Sequence, residues 1–305
     1  MKKIIALILA LAVCTAVFTG CTVKEKEEST TAEVVEVTDE ASEEEVSEEA
    51  SEEKTDAEQS ELEALLANAD GKLADIIEAG TITIATEGAW SPWTYHDETS
   101  DELTGFDVEM GKEIAARLGV QADFKETTWD AILSGVQSGR FDIACNGVGY
   151  TEERAESYNF SEPYIYTKQV LLVGADNEDI TSYEDLKGKT TANSVGSTYA
   201  AVAEEYGATV TNVDTLDQTI ELLLQGRIDA TINAEVSYLD YINVHPDAAI
   251  KVVAKSEGEK VAIPTAKENT DSLVKAINLI LEDMRADGTL TALSEQFFGG
   301  DITNP

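Results

Sequence analysis

The chain has 305 residues, 43% of them apolar, and a formal net charge of -39. That length predicts about two compact units with enough apolar material to build cores. Binding to a nucleic-acid backbone needs positive charge to displace condensed counterions; no basic cluster occurs beyond Lys2-Lys3, so that class of partner is excluded.

Residues 1–21 read as an export signal. Lys2 and Lys3 are followed by an apolar stretch from Ile4 to Phe18. This is short for a membrane span, which needs about 20 residues, and suits the apolar region of a signal peptide. It ends in Phe18-Thr19-Gly20-Cys21. Small residues before a cysteine resemble a lipobox, which predicts cleavage and a lipid-modified, palmitate-bearing Cys21 as the membrane anchor. Cys14 lies in the signal, so Cys145 is the remaining thiol and the mature part has no internal disulfide. Within the run Phe141-Asp142-Ile143-Ala144-Cys145, it reads as a small buried hydrophobe.

Lys24 to Glu63 holds 18 acidic residues against three lysines, with no aromatic, Gly or Pro. Such a stretch cannot bury enough apolar surface to offset its ordering entropy, and its charge extends it. Residues 22–70 are therefore expected to be a disordered acidic tether.

Further on, strand-like runs alternate with helical patterns, as in α/β folds. Thr81 to Ala85 is short and β-branched. Phe106 to Leu118 carries Val108, Met110, Ile114 and Leu118 at helical spacing before Gly119. Asp130 to Ser138 repeats that plan, with Ile132, Leu133 and Val136 before Gly139. Gln137-Ser138-Gly139-Arg140-Phe141-Asp142-Ile143-Ala144 is then echoed by Gln225-Gly226-Arg227-Ile228-Asp229-Ala230-Thr231. In each copy the glycine ends a helix in a left-handed conformation, and the Asp caps amides near the next strand. The echo implies two lobes on one plan. Val170 to Val173 belongs to the second. Lys251 to Ala254 and Val261 to Ile263 are read as the crossing back, and Ser272 to Arg285 as the last helix. The expected organisation is α/β: a first lobe from 71–166 and 258–305, and a second lobe at 167–257.

The segments ATEGAWSPWTYHD, LTGFDVEMGKEIAARLGV, TWDAILSGVQSGRFDIACNGVGYTEERAESYNFSEPY, YEDLKGK, QGRIDATINAEV and DGTLTALSEQFFG follow in this order. Through them, residues 76 to 304 resemble bacterial extracellular solute-binding proteins of family 3, the polar amino-acid binders of ABC importers. TEGAWSPWTYHDE and MRADGTLTALSEQFFGGDIT bring the chain nearest the cystine-binding branch.

The resemblance implies a two-lobed periplasmic-binding-protein-like fold of type II, with two crossing strands as hinge and ligand held between the lobes. It implies a lipid-anchored, extracytoplasmic monomer that works with ABC permease and ATPase subunits. It implies neither enzyme activity nor a cofactor. Residue by residue, Arg154 takes the place of the arginine that holds the ligand α-carboxylate, for which a planar fork of donors is suited. Gly147 and Gly149 stand where many relatives carry Ser or Thr. Trp90 matches the aromatic on the ligand stem, Glu87 an acidic position facing the ligand's polar end, and Trp129 a wall of the cleft. Ser197 and Thr198 match a loop-to-helix turn meeting the same carboxylate. The Asp that often pairs with the ligand ammonium is replaced by Ala234, leaving Glu87, Asn233 or, after a one-residue slip, Glu235. Trp93 reads as core. His96 and His245 read as loop and turn residues, and no acid–base pair is singled out, which disfavours a dehydratase on the same fold. A ligand-sensing input is the other alternative; for a chain ending at Pro305 it would need a separate signalling partner.

Overall fold

The computed structural model describes residues 61–305. The signal at 1–21, Cys21 and the tether as far as residue 60 lie outside the described residues. Helical structure is present before the expected boundary at 70. Residues 61–67 are helical, and Leu62, Leu65, Leu66 and Ala69 pack against the first-lobe core. These apolar residues sit on one helical face, and burying them outweighs the acidic composition around them. Helix α1 (Gly71–Ala79) follows and stops at Gly80, which is left-handed.

The first lobe is a five-stranded sheet in the order β5-β1-β6-β15-β7. Strand β1 (Thr81–Thr86) pairs in parallel with β5 (Gln121–Glu126) and β6 (Ile143–Ala144). Strand β15 (Pro264–Ala266) is antiparallel to β6 and to β7 (Tyr158–Phe160). Three short strands, β2 (Ala89–Trp90), β3 (Thr94–His96) and β4 (Leu103–Thr104), form a flap after β1. Helix α2 (Phe106–Arg117) lays Phe106, Met110 and Ile114 on Ile82, Ile84 and Ile143, all fully buried. Each such side chain contributes about 1.5–3 kcal/mol. Trp93 completes this core, its ring 4.9 Å from that of Phe298.

In the second lobe, β9 (Gln169–Gly174) lies between β12 (Ala230–Ala234) and β13 (Ile250–Lys255), antiparallel to both. Strands β10 (Thr190–Asn193) and β11 (Thr209–Asn212) are parallel, and β10 is tied to β12 by the Asn193 amide donating to the Ile232 carbonyl at 2.7 Å. Strands β8 (Ile165–Thr167) and β14 (Glu259–Val261) run antiparallel between the lobes. Lys251 to Ala254 therefore belongs to the second sheet. The crossing falls to the more polar β14, which pairs with β8 and meets the first lobe through a single bridge from Val261 to Gly149.

The internal echo is structural. Helix α3 (Trp129–Gln137) ends before Gly139 at φ 72°, and α6 (Leu216–Leu224) before Gly226 at φ 65°. Asp142 then accepts from the Thr83 amide and hydroxyl, both at 2.7 Å. Asp229 accepts from the Thr190 amide and hydroxyl at 2.7 and 2.8 Å. In each lobe one carboxylate ties a helix–strand turn to the neighbouring parallel strand.

Four helices complete the second lobe and the approaches to the cleft: α4 (Glu152–Ser157), α5 (Thr198–Glu205), α6 and α7 (Glu235–Val244). Helix α8 (Asp271–Ala286) is not the last: left-handed Gly288 breaks the chain, and α9 (Thr289–Phe298) turns back to bury Leu290. Among the described residues no helix is long and apolar enough to cross a membrane.

Candidate functional site between the lobes

The parallel strands of both lobes end at the cleft, where an α/β sheet presents its ligand side. A cavity of about 50 Å³ lies there. From the first lobe it receives Glu87 after β1, Trp90 on β2, Trp129 at the start of α3, and Gly147, Gly149 and Arg154 around α4. From the second come Ser197 and Thr198 at the start of α5 and Asn233 near the end of β12. Glu235 is not among the lining residues. It occupies the first turn of α7 and pairs with Lys255. Ala234 is buried in the core, and its N–H donates to the Asn233 side-chain oxygen at 2.9 Å.

Arg154 sits on a six-residue helix capped by Thr151, whose hydroxyl accepts from the Arg154 amide at 3.1 Å. Its guanidinium lies 5.4 Å from the centre of the Trp129 ring. It donates to the Gly149 carbonyl at 2.7 Å and, across the cleft, to the Gly196 carbonyl at 2.9 Å. Burial lowers its pKa from the ordinary arginine value, working against the charges of Glu259 and Glu153. Opposite stands the N-terminus of α5, where the Ser197 hydroxyl accepts from the Ala200 amide at 3.1 Å. A helix start of this kind favours an anion.

The two glycines have steric causes. Gly147 has φ 56°, and a Cβ there would lie 2.7 Å from the Trp90 ring. Its N–H donates to fully buried Asp107. At Gly149 a Cβ would collide with Glu259 Oε1. The place a Cβ on Gly149 would take is occupied by a carboxylate arriving from the crossing strand.

The other pole of the cavity is acidic. Glu87 accepts from the Asn146 side chain at 2.7 Å; burial raises its pKa above the usual carboxylate value, and Asp214 and Asp130 add to the rise. Asp214 and Thr215 line the cavity, as does Asn193, whose Oδ1 is buried without a hydrogen-bond partner. A second cavity shares Glu87, Trp129 and Asp214 and adds Glu126 and Asp130. One guanidinium thus faces several carboxylates, an arrangement suited to a zwitterion with its carboxylate at Arg154 and its ammonium at the acidic end.

Asn193, Asp214, Thr215 and Glu259 are absent from the reading of the sequence. Carrying the echo 87 residues back from Thr215 and Leu216 lands on Thr128 and Trp129, so the repeat held a signal for the second pair. Glu259 had none in its neighbours. The histidines stand apart: His96 bonds Glu126 at 2.9 Å, and His245 packs against Tyr241 with the rings tilted by 41°.

The model of bacterial extracellular solute-binding proteins, family 3, matches residues 82–300. The L-cystine-binding protein TcyA of Bacillus subtilis is 39% identical over 235 residues, 77% of this chain and 87% of that protein. A solved ancestral arginine-binding protein bound to arginine is 36% identical, with TM-score 0.67 over 72% of this chain and 99% of its own. The L-cystine solute receptor of Neisseria gonorrhoeae, solved unliganded and open, is 39% identical over 77% of this chain and all of its own, with TM-score 0.53. Identity is higher for the open receptor while structural agreement is lower.

Proposed function

The chain belongs to the bacterial extracellular solute-binding proteins of family 3, and from that premise we propose that it captures a polar amino acid between its lobes for an ABC importer. It binds its ligand and hands it on unchanged. The first lobe comprises 71–166 and 258–305, extended by the helix at 61–67, and the second comprises 167–257. The observation that carries the proposal is the guanidinium of Arg154, half-buried in the cavity wall and facing the N-terminus of α5. The ligand carboxylate takes the Arg154 donor now given to Gly196 and meets the amides of the Ser197 turn. The ammonium, deprived of an acid at Ala234, goes to Glu87 and Asp214.

Cystine is the ligand we favour. It is a double zwitterion with an ammonium and a carboxylate at each end, and the second cavity, which continues outward from the first, offers acidic partners for its second ammonium. The relative TcyA, named for L-cystine binding, supports the same choice. The protein is held outside the membrane by a lipid on Cys21; loss of a Cys21→Ser variant from the membrane fraction is the expected result, and full retention contradicts it.

The binding test is calorimetric titration with L-cystine and a panel of polar amino acids. Removing the partner of a buried charge typically costs about 3–5 kcal/mol. Arg154→Ala is therefore expected to weaken binding by about a hundredfold or more, with Arg154→Lys recovering only part because an ammonium lacks the fork. Unchanged affinity in a folded Arg154→Ala protein would overturn the assignment.

A further inference from the structure

Glu259 has no counterpart in the amino-acid recognition described above, yet it lies directly behind three of its elements. It is the first residue of crossing strand β14, which pairs with β8 and reaches the first lobe through the bridge from Val261 to Gly149. Its Oε1 accepts from the Thr198 hydroxyl at 2.9 Å, in the second lobe. The same oxygen lies where a Cβ on Gly149 would sit, so a side chain there would have to displace this carboxylate. The Gly149 carbonyl in turn receives the Arg154 guanidinium at 2.7 Å. One carboxylate on the hinge thus touches the helix start in one lobe and the main chain that holds the arginine in the other.

We infer that Glu259 is a positioning residue for the carboxylate clamp, holding Thr198 against the hinge and taking up a proton when an anionic group enters beside Arg154. The inference rests on the amino-acid-binding reading above. Arg154 and Glu259 feel each other's charge, and Arg154 gives its amino groups to carbonyls rather than to this carboxylate. A ligand carboxylate arriving at Arg154 brings a second negative charge into the same partly dehydrated space. Two carboxylates sharing one site do not both stay ionised at little cost; one pKa rises. Glu259 is predisposed to be that one. Burial already raises it above the ordinary value, against the lowering effects of Thr198, Gln169 and Arg154. The other titratable groups facing it do not compete. Tyr199 and Tyr183 are both raised by burial, Tyr183 to about 12, and remain protonated near neutrality.

The direction of the linkage follows. If ligand raises the pKa of Glu259, binding takes up protons. Affinity is then greatest below the free-protein pKa and falls as pH rises toward the bound-protein value. Each pH unit by which the ligand raises it corresponds to about a tenfold loss at the upper end. Glutamine at this position keeps an acceptor for Thr198 and carries no charge.

The experiment is calorimetric titration of the full protein with L-cystine and with L-arginine, between pH 5 and 7.5. It is run in two buffers of different ionisation enthalpy, which counts protons. The expected result is net proton uptake and falling affinity with pH in the unmodified protein. In Glu259→Gln both effects are much reduced, with affinity at pH 7.5 about tenfold above the unmodified protein. Thr198→Val removes a bond that favours the charged form, so its pH profile should move upward even if Glu259→Gln folds poorly. Proton uptake of unchanged size in Glu259→Gln, or an unmoved profile in Thr198→Val, overturns the inference. Those outcomes leave the binding reading intact; absence of amino-acid binding, or indifference to Arg154→Ala, would instead remove the reading on which it rests.

Discussion

Asp107 shows how one residue supports the site from beneath. Its carboxyl is fully buried, accepts from the Gly147 amide and from the Tyr164 hydroxyl, the latter at 2.8 Å, and so fixes the loop leading to Gly149. Burial outweighs these bonds and raises its pKa from 3.8 to about 7. In the folded protein it keeps a proton that the unfolded chain releases across that interval. Stability is therefore fully present below pH 3.8 and is lost as pH rises toward 7, by on the order of 4 kcal/mol. Asp107→Asn keeps an acceptor for Gly147 and a partner for Tyr164 while removing the ionisation. We expect denaturant midpoints to favour Asp107→Asn progressively more at pH 7.5 than at pH 4.5. An advantage or deficit independent of pH would show that Asp107 is not the group responsible.

At the scale of elements, what was legible in the sequence was local. The helix, glycine, Asp and strand of each echo are encoded within about a dozen residues, but each Asp accepts from a threonine on a distant strand, Thr83 or Thr190, instead of capping amides near its own next strand. Arg154, Trp90 and the Ser197 turn sit in segments whose neighbours identify them, and the structure brings them to one cavity. What was illegible depends on contacts between distant segments. Glu259 acquires its place only when β14 crosses beside Gly149, more than a hundred residues away in the chain, and a three-residue strand has no period to read. The helix at 61–67 was hidden for the opposite reason. Leu62, Leu65 and Leu66 follow helical spacing, but acidic composition masked a face that becomes stable only against the core. The helix break at Gly288 was legible in principle, because Leu290 resumes the apolar pattern two residues later. Glu235 failed through geometry: one residue beyond Ala234 the strand has become a helix, and its side chain turns to Lys255.

For the molecule as a whole, the lobes must move for the site to work. The cavity wall is drawn from both lobes, and Arg154 and Trp93 bond across them, to Gly196 and to the Ser237 hydroxyl at 3.1 Å. A ligand enters only when the first of these bonds opens. Residues 61–305 carry 44 acidic side chains against 16 Lys and Arg, a net charge of -28, and this self-repulsion favours the open form at low ionic strength. A ligand can close the cleft only by binding the closed form more tightly, and contacts to both lobes provide that difference. Shifting an equilibrium from mostly open to mostly closed takes a differential affinity of about 5.5 kcal/mol for a 1:99 to 99:1 change, a reasonable yield from one buried carboxylate clamp and one ammonium site. The protein has three tryptophans, of which Trp93 is buried while Trp90 and Trp129 line the cavity. Ligand should therefore shift the fluorescence and reduce the radius of gyration in solution scattering, with both changes saturating at the same ligand concentration. Saturated binding with a superimposable scattering curve would mean that the lobes are already fixed in their bound arrangement, and that the bond from Arg154 to Gly196 is a permanent strut.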